Sequence, residues 1–275
     1  MPLQKKQTRT EIETMDKRKV IRPDPDRRRL LTGLGALGAG ALLTGCDSLS
    51  RTEQVQDALG QVDRLTRAAQ RLVSSRQSLA REFDASQISP WFKPNGTTEP
   101  PNPAYKQLAA HKFRDYRLKI DGLVRQPGEF SLEQLKAMPS RTQITRHDCV
   151  EGWSVIGQWT GAKLADVLDR VQPTDQARFV VFHCADNIYG GPVKYYESLD
   201  MIEAYHPQTL LAHSLNGGDL PIANGAPIRL RAERQLGYKM AKYVMRIELV
   251  DSFASIQGGN GGYWEDRGYE WWAGI

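Results

Sequence analysis

The sequence predicts an α+β fold in which mixed β-sheets dominate and the helices are few and short. Strand-like runs recur along the C-terminal half of the chain, at residues 178–182, 228–231 and 244–249. Helical character is limited there to short stretches such as residues 164–171. Strands that outnumber scattered short helices are typical of mixed sheets in an α+β domain.

The chain of 275 residues divides into a signal at 1–45, a helical tether or packing segment at 46–87, and a main domain at 88–275. The signal region carries ten Lys and Arg but five Asp and Glu, whereas the remainder carries 27 of each kind. The basic character of the whole chain therefore belongs to the signal. Nothing in the mature charge balance favours a nucleic acid partner.

A twin-arginine export signal is predicted at the N-terminus. Arg27 and Arg28 precede residues 32–44, an uncharged stretch of Gly, Ala, Leu and Thr that is too short and too weakly apolar to span a bilayer. We therefore expect passage through the Tat translocon, which carries folded proteins. This segment is excluded from the fold.

The signal ends in Leu-Thr-Gly-Cys, which predicts lipidation of Cys46. Small residues before the cysteine are what lipoprotein cleavage needs, and Asp47 then favours retention at the inner membrane. The expected location is the periplasmic face of that membrane. The alternative is a soluble periplasmic protein with an accidental cysteine.

Residues 51–85 predict an amphipathic helix, since apolar residues recur there at three- and four-residue steps. Gly60 and the pair Ser74 and Ser75 are points where it could bend or break. A helix after a lipid anchor could be a spacer. Its apolar stripe favours packing or partner contact instead.

The main domain begins after a Pro-rich irregular stretch at 89–103. Residues 116–124 then alternate like a strand that ends in a turn, and Ser131 caps a short helix. The sequence has no Cys-x-x-Cys-His motif for a covalent haem.

Cys149 is the first candidate for chemistry. It follows the strand-like residues 142–145 among polar and charged neighbours, a setting expected to lower the pKa of the thiol and favour a metal-binding thiolate. Two other interpretations are a structural cysteine beside a turn and a disulfide with Cys184.

Three separated blocks carry a family resemblance: Cys-Val-Glu-Gly-Trp at 149–153, Trp-Thr-Gly-Ala-Lys-Leu at 159–164, and residues 210–242, which include Asn-Gly-Ala-Pro-Ile-Arg-Leu and Leu-Gly-Tyr-Lys-Met-Ala-Lys. Together they resemble the molybdopterin domain of the sulfite oxidase family. The likeness covers residues 88–275 and is nearest to the bacterial branch of periplasmic methionine sulfoxide reductase catalytic subunits.

The resemblance implies one Mo-molybdopterin cofactor per chain, with Cys149 as its thiolate ligand to molybdenum. It places Cys184 where that branch has a cofactor-contacting threonine, although a buried structural thiol is an equal alternative. Gly237 would allow close approach of the chain. The other implied cofactor contacts are Arg229 and Lys242 for the phosphate, and Asn224, Met240, Ala241 and Asn95 for the remainder.

Two further segments bear on the substrate. Trp-Glu-Asp-Arg-Gly-Tyr at 264–269 resembles the family's Trp-x-x-Arg-x-Tyr, which makes Tyr269 a candidate for hydrogen bonding or proton transfer. An aromatic clamp is the alternative role. Sulfite oxidases hold their anion with an arginine in Phe-x-Arg-Asn, where this chain has Phe92, Lys93, Pro94 and Asn95. This departure favours a sulfoxide, N-oxide or similar substrate over sulfite.

The resemblance therefore implies a periplasm-facing oxidoreductase that transfers an oxygen atom to or from a small substrate. Because residue 275 follows soon after the last block, we expect a monomeric catalytic module without the family's dimerisation domain. Electrons would be exchanged with a membrane cytochrome or a soluble carrier. Sulfite dehydrogenase and a non-catalytic lipoprotein scaffold are the alternatives.

Location is testable by fractionation. With Arg27 and Arg28 both changed to Lys, we expect retention in the cytoplasm, since a fixed guanidinium geometry is what the export machinery reads. With Cys46→Ala, export should persist while lipid anchoring is lost. Firm membrane attachment of Cys46→Ala after a salt wash would show that the lipid site is accidental.

Overall fold

Two five-stranded β-sheets form most of the structure. The computed structural model describes residues 75–275 and, before them, residues 62, 65–66 and 68–70. The predicted export signal, Cys46 and most of the predicted N-terminal helix lie outside the described residues. The described residues belong to one compact unit, Val62–Ile275.

The first sheet has the strand order β2-β1-β10-β5-β6. Its members are β1 (Arg117–Gly122), β2 (Gly128–Ser131), β5 (Phe179–Asn187), β6 (Lys194–Asp200) and β10 (Val244–Val250). Strands β1 and β10 are parallel, and the other pairs are antiparallel. Alternating residues such as Leu118, Ile120 and Ile247 are fully buried, so this sheet contributes one side of the core.

The second sheet is built on a long hairpin of β3 (Ser140–Cys149) and β4 (Trp153–Lys163). Strand β4 pairs with β7 (Leu210–Leu215), which pairs in turn with β8 (Gly218–Asp219) and β9 (Arg229–Arg231). The last pair of the hairpin joins Cys149 to Trp153. Cys149 therefore lies at the tip of the hairpin.

Four short α-helices accompany the sheets within residues 75–275: α1 (Pro103–Ala110), α2 (Leu132–Ala137), α3 (Leu164–Val171) and α4 (Met201–Ala204). Ser131 caps α2 through a capping box with Gln134. Helix α3 buries Leu164, Val167 and Leu168 against the core.

The predicted α+β class with mixed sheets is confirmed. Helix α3 spans the predicted residues, and the predicted strands correspond to β1, β3, β5, β9 and β10. The sequence analysis did not identify β2, β4, β6, β7, β8, α1 or α4. Strand β4 gives a weak strand signal because Gly157 and Gly161 lie inside it. Gly161 is needed there, since a side chain at this position would collide with the Leu211 carbonyl.

The predicted helix does not continue to residue 85. Residues 75–84 contain no helix, and Val62, Leu65 and Leu79 of the expected apolar stripe are 56%, 69% and 54% exposed. The chain instead adopts an extended path, where Phe83 N–H donates to the Ile144 carbonyl at 2.9 Å and Ala80 N–H to Gln208 Oε1 at 2.7 Å. Backbone pairing with the main domain has overridden the helical pattern.

These contacts place residues 75–87 against the main domain. In the described part of the chain, no helix has both the length and the apolar character needed to cross a bilayer.

Candidate active site

A single cleft brings most of the predicted site residues together. Cys149, Asn95, Met240, Lys242 and Tyr269 all line it, although they come from four different segments of the chain. The cleft has a volume of about 200 Å³ and opens to solvent.

Cys149 sits half-buried at the rim of this cleft, where the β3–β4 hairpin turns. Gly152 makes the turn with a positive φ of 84°, and its N–H donates to the Cys149 carbonyl at 3.0 Å. Burial raises the pKa of the Cys149 thiol, so the expectation of a lowered pKa is wrong for the protein alone. The nearby charges of Lys93 and Arg229 only partly offset burial.

Cys184 is a second free thiol, so the disulfide alternative does not hold. It lies on β5 opposite Val244 and is only 3% exposed, behind the cleft and not among its lining residues. Burial raises the pKa of this thiol well above its usual value. It is two residues from Asp186, which does line the cleft.

Arg229 is a fully buried cation whose hydrogen-bond partners are all neutral. Its Nη1 donates to the Asn224 carbonyl at 3.1 Å and its Nη2 to Asn95 Oδ1 at 3.0 Å. Its Nε has no hydrogen-bond partner among the described residues. Burial and the neighbouring charge of Arg231 lower the pKa of Arg229 to about 9.

Lys242 is a second cation of the same kind. Its ammonium donates to the carbonyls of Asn95 at 2.6 Å and Ala223 at 2.8 Å, and also to that of Thr97. Burial, followed by repulsion from Arg229, lowers the pKa of Lys242 to about 7. Neither Lys242 nor Arg229 forms an ion pair within the described part of the chain.

These two cations fit a bound phosphate. Buried charges are normally paired, and here the unpartnered Arg229 Nε and the lowered pKa values both indicate a missing anion. Gly225 lets the two side chains come together, since a Cβ at that position would lie 3.0 Å from Lys242 Cβ and 3.2 Å from Arg229 Cβ. The donor set therefore agrees with the cofactor that the sequence blocks imply.

The other predicted cofactor residues lie around this cation pair. Asn224 Nδ2 donates to the Phe92 carbonyl at 3.4 Å. This hydrogen bond links the residues just before β9 to the segment that carries Asn95. The Ala241 carbonyl accepts from Leu230 N–H at 2.8 Å and so holds the 240–242 segment against β9. Met240 lines the cleft directly.

His147 is a buried residue that the sequence analysis did not single out. Arg231 can only donate, so its Nη1, 3.1 Å from His147 Nδ1, makes that nitrogen an acceptor and leaves the proton on Nε2. Burial, together with the nearby cations, holds the pKa of His147 well below its usual value. Gly237 accommodates the ring, because a Cβ there would lie 2.5 Å from His147 Cε1.

Gly237 therefore allows its own segment to pack closely against β3, next to Cys149. A period-2 strand pattern could have indicated His147, since it lies two residues before Cys149 on the same face of β3. Arg231 is itself balanced, in a buried ion pair with Glu233 whose side chains are both fully buried. Unlike Arg229, it offers no free charge to a ligand.

An aromatic wall forms the outer side of the cleft. The Tyr269 ring stacks on Trp264 at 5.2 Å between centroids and meets Tyr238 edge-on at 5.3 Å. Tyr269 is 40% exposed, so its hydroxyl is accessible from the cleft mouth. The geometry is compatible with both predicted roles, the aromatic clamp and the hydrogen-bonding residue.

A buried cluster of three charges holds this wall in place. Lys239 Nζ contacts Glu265 Oε1 at 2.6 Å and also contacts Glu197, and all three side chains are almost completely buried. Glu265 belongs to the turn just before Tyr269, while Lys239 immediately precedes Met240. Burial, then repulsion from Glu265, raises the pKa of Glu197 well above its usual value.

Lys93 occupies the segment where the family has its substrate-binding arginine. Its Nζ lies 4.8 Å from the Trp153 ring centroid, so it packs on the hairpin tip. Neither Lys93 nor Pro94 lines the cleft. The described structure thus provides no arginine on this segment for an anionic substrate.

Removal of either buried cation should lower cofactor occupancy more than turnover per molybdenum. We expect Arg229→Ala and Lys242→Ala each to lose roughly tenfold or more of the bound cofactor, since charge-assisted hydrogen bonds contribute about 1.5–3 kcal/mol. Molybdenum and pterin per chain are the measurements, with the surface variant Lys136→Ala as the control. Full occupancy with slow turnover would instead place these side chains at the substrate.

Comparisons with known proteins agree with this geometry. Residues 105–255, more than half of the chain, match the family described as "Oxidoreductase molybdopterin binding domain". A protein of Azospira oryzae, the putative protein-methionine-sulfoxide reductase subunit YedZ1, is 37% identical over 254 residues, which cover 91% of this chain and 88% of that protein.

A second relative, the protein-methionine-sulfoxide reductase catalytic subunit MsrP of Xanthomonas campestris pv. campestris, is 33% identical over 235 residues, or 82% of this chain and 70% of that protein. Among solved structures, the sulfane dehydrogenase SoxCD of Paracoccus pantotrophus aligns with a TM-score of 0.47 and 24% identity, over 50% of this chain and 39% of that one. On the family match and these two relatives, the chain belongs to the molybdopterin-binding oxidoreductases of the sulfite oxidase family.

Proposed function

We propose that this chain is the catalytic subunit of a periplasmic reductase that removes the oxygen atom from sulfoxides, with methionine sulfoxide as the principal substrate. The observation that carries the proposal is the cleft itself, which has a cysteine at its rim, a buried cation pair behind it and an aromatic outer wall. The names of the Azospira and Xanthomonas relatives, both methionine sulfoxide reductase subunits, support this substrate class.

The protein would bind the cofactor at its metal end and at its phosphate end. Cys149 would supply a thiolate to molybdenum, since a soft sulfur ligand suits this metal. Burial keeps the Cys149 thiol protonated in the protein alone, and metal binding would displace that proton. Arg229 and Lys242 would hold the phosphate. Asn95, Asn224 and the 240–242 segment would contact the remainder of the cofactor, whereas Cys184 lies behind the cleft as a buried thiol. When bound, the cofactor supplies a two-electron centre for oxygen transfer.

The substrate would enter past the aromatic wall. Trp264, Tyr269 and Ile188 present apolar surface to the cleft, and aromatic rings make favourable contacts with sulfur. The sulfoxide oxygen leaves as water, so each turnover consumes two electrons and two protons and yields a thioether. Tyr269, whose hydroxyl is accessible, is the candidate that hydrogen-bonds the departing oxygen or passes it a proton.

Electrons would come from a separate protein, which we propose is a membrane cytochrome or a soluble carrier. The word "subunit" in the names of both relatives supports a multi-component enzyme. Export through the Tat pathway and lipid attachment at Cys46 would place this catalytic module next to such a donor. We expect the chain to act as a monomeric catalytic module.

Sulfite dehydrogenase remains the second candidate, because Lys93 lies close enough to Cys149 to influence its thiol. A sulfite dehydrogenase would need an anion-binding side chain at the cleft, which Pro94 cannot provide. A scaffold protein that has kept the fold would not bind molybdenum. Substrate choice and metal content therefore separate all three possibilities.

The test uses molybdenum-loaded, exported protein and a substrate panel. We expect reduction of free and peptide-bound methionine sulfoxide with a reduced dye donor, and no oxidation of sulfite with an oxidising acceptor. Cys149→Ser should abolish sulfoxide reduction, because a hard alkoxide replaces a soft thiolate poorly. The matched cysteine variant Cys46→Ala should retain full turnover.

Three outcomes would contradict the proposal. Sulfite oxidation without sulfoxide reduction would identify a sulfite dehydrogenase. A folded protein without molybdenum would identify a scaffold. Normal turnover by Cys149→Ser would remove Cys149 from the metal.

A further inference from the structure

The buried cluster of Lys239, Glu197 and Glu265 lies next to the aromatic wall of the cleft. Each member is one or two residues away in sequence from an aromatic residue that lines the cleft. These pairs are Glu197 with Tyr195, Lys239 with Tyr238, and Glu265 with Trp264. Three segments that are distant in the chain therefore each contribute one charged side chain to the cluster and one ring to the cleft.

The cluster is held by direct contacts between its charged groups. Lys239 Nζ contacts Glu265 Oε1 at 2.6 Å and also contacts Glu197 Oε1. None of the three side chains is more than 1% exposed. Gly262 leaves space for the carboxyl groups, because a Cβ at that position would collide with Glu265 and lie 2.8 Å from Glu197 Oε1. Two carboxyl groups therefore meet one ammonium group away from water.

The charges of this cluster do not balance if all three groups are ionised. One ammonium would face two carboxylates, which leaves an uncompensated negative charge in the interior. Burial, then repulsion from Glu265, raises the pKa of Glu197 well above its usual value. Burial opposes the charge of Lys239, yet the two carboxyl groups raise its pKa. The ammonium therefore keeps its charge, and the carboxyl pair retains a proton.

The second oxygens of the two carboxyl groups provide a place for this proton. Glu197 Oε2 and Glu265 Oε2 are buried and receive no hydrogen bond from an N–H or O–H group of any described residue. The two carboxyl groups are nevertheless within hydrogen-bonding reach of each other. A proton between them would convert two unsatisfied acceptors into one donor and one acceptor.

The other titratable neighbours do not supply a compensating charge. Tyr195, Tyr196 and Cys184 are also affected by the charge of Glu197, and burial raises the pKa of all three, so each stays neutral. Within residues 75–275, the only cation that forms a salt bridge with Glu197 is Lys239. The extra negative charge is therefore removed by a proton and not by a second cation.

We propose that Glu197 and Glu265 share one proton and, together with Lys239, act as positioning residues that set the spacing of the rings lining the substrate's entrance. The protonated pair and the ammonium form a neutral cluster, which can stay buried without a further counter-ion. The positioning role rests on the proposed sulfoxide substrate, whereas the shared proton does not.

A shift within this cluster would reach the cleft directly. Tyr269 N–H donates to the Trp264 carbonyl at 3.0 Å, and the Tyr269 ring meets that of Tyr238 at 5.3 Å. A change that moves Glu265 should therefore move Tyr269 relative to Tyr238. Cys149 lies on the separate β3–β4 hairpin, so its position should not change.

Infrared spectroscopy of the holoprotein at mildly alkaline pH tests the shared proton. Ordinary carboxyl groups are ionised under these conditions, so a neutral buried carboxyl should give a separate C=O stretching band. We expect this band in the wild type and its loss in both Glu197→Gln and Glu265→Gln, because the remaining carboxyl group then ionises beside Lys239. Glu133→Gln, at an exposed glutamate, is the matched control and should keep the band.

Steady-state kinetics with methionine sulfoxide test the positioning role. Glu197→Ala should raise KM roughly tenfold with a smaller change in kcat, at unchanged molybdenum and pterin per chain. Glu197→Gln, which can accept from Lys239 and donate to Glu265, should recover most of the wild-type KM. Adding Glu265→Gln to Glu197→Gln should raise KM again, because Lys239 is then left without an anion. A merely structural role would lower the melting temperature and leave KM unchanged.

Absence of the neutral carboxyl band from the wild type, or its survival in Glu197→Gln, would overturn the shared proton. A wild-type KM in loaded Glu197→Ala would overturn the positioning role. If Glu197→Ala or the double variant does not fold, a tenfold rise of KM in Glu197→Gln would still contradict the proposal. Lack of sulfoxide turnover by the wild type would contradict the proposed function instead, and the infrared result, recorded without substrate, would stand.

Discussion

The structure depends on two buried cations that have no anion of their own. Arg229 and Lys242 are held by carbonyl groups and by Asn95, and burial lowers the pKa of both. Such an arrangement is unfavourable in the empty protein, since desolvated charges need compensation. On the proposed function, a bound phosphate would compensate both charges, which would couple cofactor binding to the stability of the whole site.

The rest of the fold brings distant segments to these cations. The β3–β4 hairpin ends with Cys149 on one side of the cleft. The buried cluster of Lys239, Glu197 and Glu265 fixes the C-terminal aromatic segment on the other. His147 connects the two, because it contacts Met240 Sδ at 3.3 Å and lies against Gly237. Rigid supporting contacts of this kind keep a metal site in its working geometry.

Part of this could be predicted from sequence because it is local. The apolar spacing of helix α3 and the capping residues of α2 are local signals, and both elements formed where predicted. Several residues of the cleft could be predicted because the separated motifs keep their order and spacing along the chain. Asn95, Cys149, Met240, Lys242 and Tyr269 accordingly share one cleft.

What the sequence could not supply depends on long-range contacts. Lys239 looks like a surface lysine until residues 42 and 26 positions away bury their carboxylates beside it. The polar neighbours of Cys149 suggested an acidic thiol, yet burial has the opposite effect on its pKa. Residues 75–84 follow backbone pairing with the domain and not their apolar spacing.

The central claim is that Cys149 completes the metal site of a cofactor that Arg229 and Lys242 anchor. X-ray absorption at the molybdenum edge tests this most directly, since it counts the sulfur neighbours of the metal. We predict three sulfur ligands in the wild-type protein, two from the pterin and one from the chain, and two in a loaded Cys149→Ser protein. An unchanged sulfur count in that variant would contradict the account.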